Sequence, residues 1–341
     1  MGMVWLMARP LVEEHDSEYT WVRNTIECPI QEYLRRTLGY RLSPVAHYGE
    51  YHDRLLKRLY PSARLEVPIR RDGIAGRVDA IDGGRVIEHK VVAAPVTPLL
   101  ATPRVLRAIA RGVQDIIASF MPVLPSITRP GANGARVNNA TKPSCVDNDP
   151  FTIGCIARTY FGVELSAKEF YARTRRYITE HIYRLPPEDY GALAELVRGA
   201  PSRAGGDRAN RMVSTIAVGA VQAITYNKLL GGGYNPLLSL SIVPRTRLLP
   251  IINVEFNLGG LPSDVYDFGR AVEVVRNPQG FKPREVAGLK LRPCKYCDLK
   301  AICPFRGELE RFDKEVLERD RQITNMVITG VIERQTHVHG R

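Results

Sequence analysis

Apolar positions change their period along this chain, and the changes mark its segments. Over residues 17–42, SEYTWVRNTIECPIQEYLRRTLGYRL, they recur at helical intervals, which predicts one helix or two short ones with Cys28-Pro29 at a junction. A proline in the first turn after Cys28 loses no hydrogen bond, because that amide has no partner within a helix. A second helix is expected in HYGEYHDRLLKRLY, with Tyr48, Tyr51, Leu55, Leu56 and Leu59 on one apolar face.

The period then shortens. RLEVPI, IAGRVDAI and RVIEHKVV are Val- and Ile-rich runs divided by RRDG and DGG, which predicts a three-stranded antiparallel meander. Further on, PRVLRAIARGVQDIIASF and SAKEFYARTRRYITEHIY read as helices, ITRPGANGARVNNATKPSCVDNDP as a loop and GAPSRAGGDRA as a linker. ANRMVSTIAVGAVQAITYNKLL predicts a largely buried helix closed by GGG. PLLSLSIVP, LLPIINVEFNL and RAVEVVRN are expected as strands, and RGELERFDKEVLERDRQ as an exposed helix in a charged tail. The end of that tail, with His337 and His339, reads as disordered. The expected division is helices and meander over 17–95, an insertion or subdomain over 96–210, a second half with a cysteine cluster over 211–305, and the tail over 306–341.

Composition adds a partner class. Hydrophobic residues make up 44% and charged residues 25%, the balance of a soluble globular protein. No apolar run approaches the ~18 residues that cross a bilayer, and MGMVWLMARP lacks the basic segment of a secretory signal. A cytoplasmic protein off the membrane is expected. The 48 Lys and Arg against 36 Asp and Glu leave a net charge of +12, which favours nucleic acid first and an anionic membrane second.

Candidate chemistry concentrates in the meander. Side chains two apart on a strand share a face, so Glu88 and Lys90 point one way and His89 the other. A hairpin through DGG brings Asp79 beside Glu88. Two close carboxylates repel, and a divalent cation such as Mg²⁺ or Mn²⁺ removes that penalty. Lys90 then suits a role at a water or at a phosphate, and His52, on the helix upstream, suits a third ligand. His47 is a weaker candidate. The alternative is a solvated edge strand with Asp79 incidental.

LRPCKYCDLKAICPF places Cys294, Cys297 and Cys303 within ten residues of a chain that has six cysteines. With Cys28 they make four thiolates, a set that suits zinc or an iron–sulfur cluster. Tetrahedral zinc sites more often pair two C-x2-C units, and Cys28 has no close companion, which favours [4Fe-4S]. Such a centre staples the N-terminal helices to the C-terminal segment. Cys145 and Cys155 suit either a local disulfide or free buried thiols.

Cys28, GEYH with His52, GRVD with Asp79, EHK with Glu88 and Lys90, QAITY with Gln222 and Tyr226, and the three-cysteine cluster occur in that order. The series resembles the RecB-type iron–sulfur nucleases of the PD-(D/E)XK superfamily, typified by the CRISPR-associated Cas4 nucleases. The long spacing between the E-x-K and Q-x-x-x-Y segments is nearest to the longer archaeal subtype of type I-A systems. Gln114 is a rival to Gln222, but Ala118 stands where the tyrosine belongs.

The resemblance implies an α/β fold with a restriction-endonuclease-like core, a mixed sheet flanked by helices, stapled termini and a large insertion. It implies Mg²⁺ or Mn²⁺ on His52, Asp79, Glu88 and the His89 carbonyl, with Lys90 assisting hydrolysis. Gln222 and Tyr226 would position DNA or the Lys90 end of the site, and the four cysteines would hold a [4Fe-4S] cluster. The implied function is cleavage of single-stranded DNA or overhangs, trimming prespacer DNA beside the integrase subunits Cas1 and Cas2. Two alternatives stay open. One is a non-catalytic DNA-binding scaffold subunit. The other is the nuclease module of a helicase–nuclease repair complex, whose helicase would be a separate chain because no G-x-x-x-x-G-K-[ST] loop is present.

Overall fold

The computed structural model describes residues 11–14, 18–38, 40–43, 49–94, 182–191, 193–194, 206–244 and 251–338. His47, Gln114, Cys145, Cys155 and the helix expected over PRVLRAIARGVQDIIASF lie outside them. The chain divides into two compact units, one of Met1–Val92, Pro186–Ser241 and Val254–Arg341, the other of Ala93–Leu185 and Ile242–Asn253.

Cys28 is the joint of the first unit's N-terminal helices. Helix α1 (Val22–Glu27) ends there, and α2 (Pro29–Leu38) begins at the next residue. Cys28 is extended, its amide bonds the Asn24 carbonyl at 2.9 Å, and its own carbonyl accepts the Gln31 amide at 2.9 Å. A buried polar network locks the joint. Glu32 accepts from the Trp21 amide and the Asn24 side chain, both at 2.9 Å, and Arg35 donates to Asn24 at 2.6 Å. Buried polar groups that bond one another in this way favour one geometry.

Helix α3 (Gly49–Leu59) buries Leu55, Leu56 and Leu59, the three leucines of the apolar face expected of it, while Tyr48 lies outside the described residues. The meander follows as β4 (Arg64–Arg71), β5 (Ile74–Asp82) and β6 (Arg85–Ala94), antiparallel throughout. Asp72 and Gly73 turn the first hairpin, and Gly83 and Gly84 the second, all with positive φ. A short strand, β2 (Thr20–Trp21), pairs parallel to β5. Strands β8 (Asn235–Pro244) and β9 (Ile251–Asn257) continue the order β2-β5-β6-β8-β9. In the second unit β7 (Ile182–Arg184) pairs parallel to the first residues of β9. Apart from these, β1 (Leu11–Glu14) and β3 (Tyr40–Ser43) form an antiparallel pair. The fold is therefore α/β, a mixed sheet flanked by helices.

Helix α4 (Gly206–Leu229) is the central helix, buried along Met212, Val213, Ile216, Ala217, Ala220, Val221 and Ala223. Four expectations are corrected around it. The linker read in GAPSRAGGDRA ends in helix, since α4 begins at Gly206. Ile182 and Tyr183, expected at the end of a helix, are in β7, where the strand partner outweighs helical periodicity. RAVEVVRN is not a strand but α5 (Phe268–Arg276). Asp267 caps it by accepting the Arg270 amide at 2.9 Å, and Ala271, Val272, Val274 and Val275 are buried as it packs on α1 and α2. Packing there overrides the β-preference of the valines.

The fourth correction concerns the C-terminus. After the short helices α6 (Pro283–Gly288) and α7 (Arg306–Leu309), helix α8 (Asp313–Val338) carries its regular backbone through His337. It is no exposed tail. Val316, Ile323, Val327 and Ile328 are buried, Ser214 donates to Asp320 at 2.5 Å, and Thr324 bonds the Val213 carbonyl at 3.0 Å. A polar sequence conceals this face because two of its buried positions, Asp320 and Thr324, are themselves polar.

Candidate active site

The middle of the meander carries a cluster of ionisable groups. Asp79 on β5 accepts the backbone amide of His89 on β6 at 2.7 Å. Across from them, Nε2 of His52 on α3 lies 3.5 Å from Asp79 Oδ2 and 3.2 Å from the His89 carbonyl oxygen. One ring nitrogen thus faces a carboxylate and a carbonyl, two of the donors expected to share a cation. Glu88 is buried, and its Oε1 accepts from Lys90 Nζ at 2.5 Å. Its other oxygen, Oε2, is buried with no hydrogen-bond partner among the described residues. The ring of His89 points elsewhere, with Nδ1 3.2 Å from Ser239 Oγ.

Burial and charge set the protonation of this cluster. Burial, then repulsion from Asp79, pushes Glu88 up to about 7 against the attraction of Lys90. Burial acts on Asp79 the same way, but the hydrogen bond and charge of His52, with help from Lys90 and the His89 amide, hold it below its ordinary value. His89 is driven down to about 3, by burial first and then by His52, so it is neutral.

Helix α4 closes the cluster from one side through two glycine contacts. A Cβ on Gly76 would stand 2.4 Å from Tyr226 Cε1, and one on Gly219 would stand 2.6 Å from Leu238 and 3.0 Å from Lys90 Cγ. A side chain at residue 76 would therefore displace the Tyr226 ring, and one at residue 219 would crowd Leu238 and the Lys90 stem. Tyr226 is buried, and its hydroxyl is pushed up by burial, then by Glu88 and Asp79, against hydrogen bonds from the Arg77 backbone and the Gln222 side chain. Gln222 and Tyr226 thus sit as a pair beside the carboxylates, with Gln222 Oε1 buried and unpartnered among the described residues.

The second cluster gathers the cysteines. Cys28, Cys294, Cys297 and Cys303 line one pocket with Gln31, Arg292 and Arg306, and none is in a disulfide. Burial pushes the Cys28 thiol up to about 12 and raises the other three, while Lys290 opposes the rise at Cys28 and Cys294.

Several contributors were missed by sequence reasoning. Arg23 and Glu27 on α1 form one. Glu27 is buried between Arg23 at 3.2 Å and Arg292 at 2.7 Å, which joins the helix beside the carboxylates to the wall of the cysteine pocket. Arg23 feels Glu88 and Asp79 as well as Glu27. Lys290 is another, fully buried beside Cys294. Charge at helical spacing was the only signal for Arg23 and Glu27; Lys290 had none.

Among the described residues, no three His, Cys, Asp or Glu side chains are drawn close enough to hold a metal ion as they stand. The donor chemistry nevertheless fits metals at both places. Glu88 presents a buried oxygen that no group among the described residues satisfies, and four free thiols share one pocket. No helix among the described residues is long and apolar enough to cross a membrane. Compared with protein-family models, with curated proteins and with solved structures, the chain matches none.

Proposed function

We propose that this chain is a metal-dependent deoxyribonuclease of the Cas4-like, PD-(D/E)XK kind. The observation that carries the reading is the buried Glu88 oxygen beside Asp79, unpartnered among the described residues, with His52 facing both the Asp79 carboxylate and the His89 carbonyl. His52, Asp79, Glu88 and the His89 carbonyl would hold Mg²⁺ or Mn²⁺, which when bound polarises a phosphoryl oxygen and lowers the pKa of water. Lys90 brings a positive charge to the phosphate while its bond to Glu88 aligns that carboxylate. Tyr226 and Gln222 back the sheet under the cluster, so the carboxylates keep their spacing when DNA binds.

The four cysteines would hold a [4Fe-4S] cluster, tying the Cys28 joint to the segment after α6. The partners follow from the same reading. They are DNA that is single-stranded or carries overhangs, drawn by the net charge of +12, and Cas1 and Cas2 in processing prespacer DNA in the cytoplasm.

The test is cleavage of end-labelled single-stranded DNA by anaerobically purified protein with Mn²⁺, beside Lys90→Ala and Asp79→Asn. Wild-type cleavage that both variants lose is the expected result. Wild-type protein that binds DNA without cutting it would overturn the nuclease reading in favour of a DNA-binding scaffold.

A further inference from the structure

Lys290 is 0% exposed, an unusual place for an ammonium, and it is surrounded by specific partners. Its Nζ donates to Cys294 Sγ at 2.7 Å and to Asp313 Oδ1 at 3.0 Å. The same Asp313, first residue of α8, accepts the Cys294 amide at 2.7 Å and the Lys295 amide at 3.2 Å. Six residues on, Arg319 donates to the Ala287 carbonyl at 3.0 Å and also to the Lys290 carbonyl. Helix α8 therefore holds Lys290 at both ends, backbone and ammonium, and holds the Cys294 backbone as well.

A buried ammonium needs a compensating charge, and Asp313 supplies one. Asp313 is already shared with two backbone amides, so the sulfur is the other acceptor the ammonium is built to meet. Four thiolates around a divalent ion, or around an oxidised [4Fe-4S] core, carry a net charge of about −2. The pocket wall answers that charge with Arg292, Lys300 and Arg306, and Lys290 reaches a sulfur directly. Outer partners of this type orient a ligand and tune its metal.

We propose that Lys290, clamped by Asp313, is the positioning residue of the cysteine centre: its ammonium fixes Cys294 Sγ as a ligand and offsets the negative charge of the bound metal centre. This rests on the reading of the four cysteines as metal ligands and is independent of nuclease activity.

Two quantities test it on the full-length, anaerobically purified protein, in wild type, Lys290→Met and Lys290→Gln. They are the reduction potential of the centre and the rate of iron release to a chelator. Lys290→Met should lower the potential, because an anionic centre loses a neighbouring cation, and speed release at least tenfold. Lys290→Gln, which keeps a donor without the charge, should recover slow release but not the potential. Folded variants with the potential and release rate of wild type would overturn the proposal while leaving the cluster reading intact. Should Lys290→Met fail to fold, Asp313→Asn removes the clamp and should also speed release, and an unchanged rate overturns the proposal. A wild type that carries zinc fails the iron–sulfur reading alone. Zinc release then reads Lys290, faster release from Lys290→Met supporting it and equal release overturning it. A wild type with no metal at the cysteines overturns both.

Discussion

Tyr226 is packed so closely on Gly76 that a Cβ at residue 76 would stand 2.4 Å from its Cε1 atom. This contact places the aromatic ring of α4 under the strand that carries Asp79. Gly76→Ala should cost about 1–3 kcal/mol in urea unfolding, as overpacking does. Tyr226→Phe should not relieve it, because the clash is with a ring carbon, whereas Tyr226→Ala should. Additive costs in the Gly76→Ala, Tyr226→Ala cycle would show that the ring and the strand are not coupled.

Glu88 should make divalent-metal stabilisation depend on pH. Its carboxyl is pushed up to about 7 from an ordinary 4.5, so the folded chain holds a proton there that the unfolded chain releases. Its contribution to stability is therefore lost as pH rises through that window. A cation on Glu88 replaces the proton, so Mg²⁺ or Mn²⁺ should raise Tm more at about pH 8 than at about pH 6. Glu88→Gln should erase the difference, measured by differential scanning fluorimetry with and without metal.

Asp320 and Ser214 join α8 to α4 through a 2.5 Å hydrogen bond in a fully buried setting. Burial pushes the Asp320 carboxyl up to about 7 from 3.8, against Ser214 and Arg319. The folded state again holds the extra proton, so stability falls between those values as pH rises. Asp320→Asn keeps an acceptor for Ser214 without a charge, and should be more stable than wild type above pH 7 by on the order of 1–3 kcal/mol. Equal stability at neutral pH would show that Asp320 is fully compensated as an anion.

Glu27 has the opposite sign. Burial alone would raise its pKa, but Arg292 and then Arg23 pull it down to about 2. Its stabilisation is present above the ordinary 4.5 and lost as pH falls towards 2. Glu27→Gln takes the near carboxylate from Arg292, leaving it only Asp298 at 3.9 Å beside the cysteine pocket, and should cost roughly 2–4 kcal/mol. Arg23→Ala removes the exposed partner and should cost less than about 1 kcal/mol. Denaturant melts at neutral pH check the order of the two.

The legible parts were those written in neighbouring residues. Cys28-Pro29 marked the joint of α1 and α2, the DGG run marked the second hairpin, and the leucines at 55, 56 and 59 marked the buried face of α3. Asp79, Glu88 and Lys90 could be placed together because a short antiparallel hairpin has few registers. RAVEVVRN misled because valines suit either structure in isolation, and its cap and its packing against α1 and α2 decided for helix.

By itself the sequence determined the periods, the turns and the order of the chemical groups, because these depend on contacts a few residues long. Tertiary structure alone decided that Lys290 meets Asp313 and Cys294, that Glu27 meets Arg292, and that Gly219 makes room for Lys90. It also decided that α8 is buried against α4 rather than solvated. Burial is what gives these groups their charge states and strengths, and the burial of a polar side chain depends on remote segments brought together, which its own local pattern does not encode.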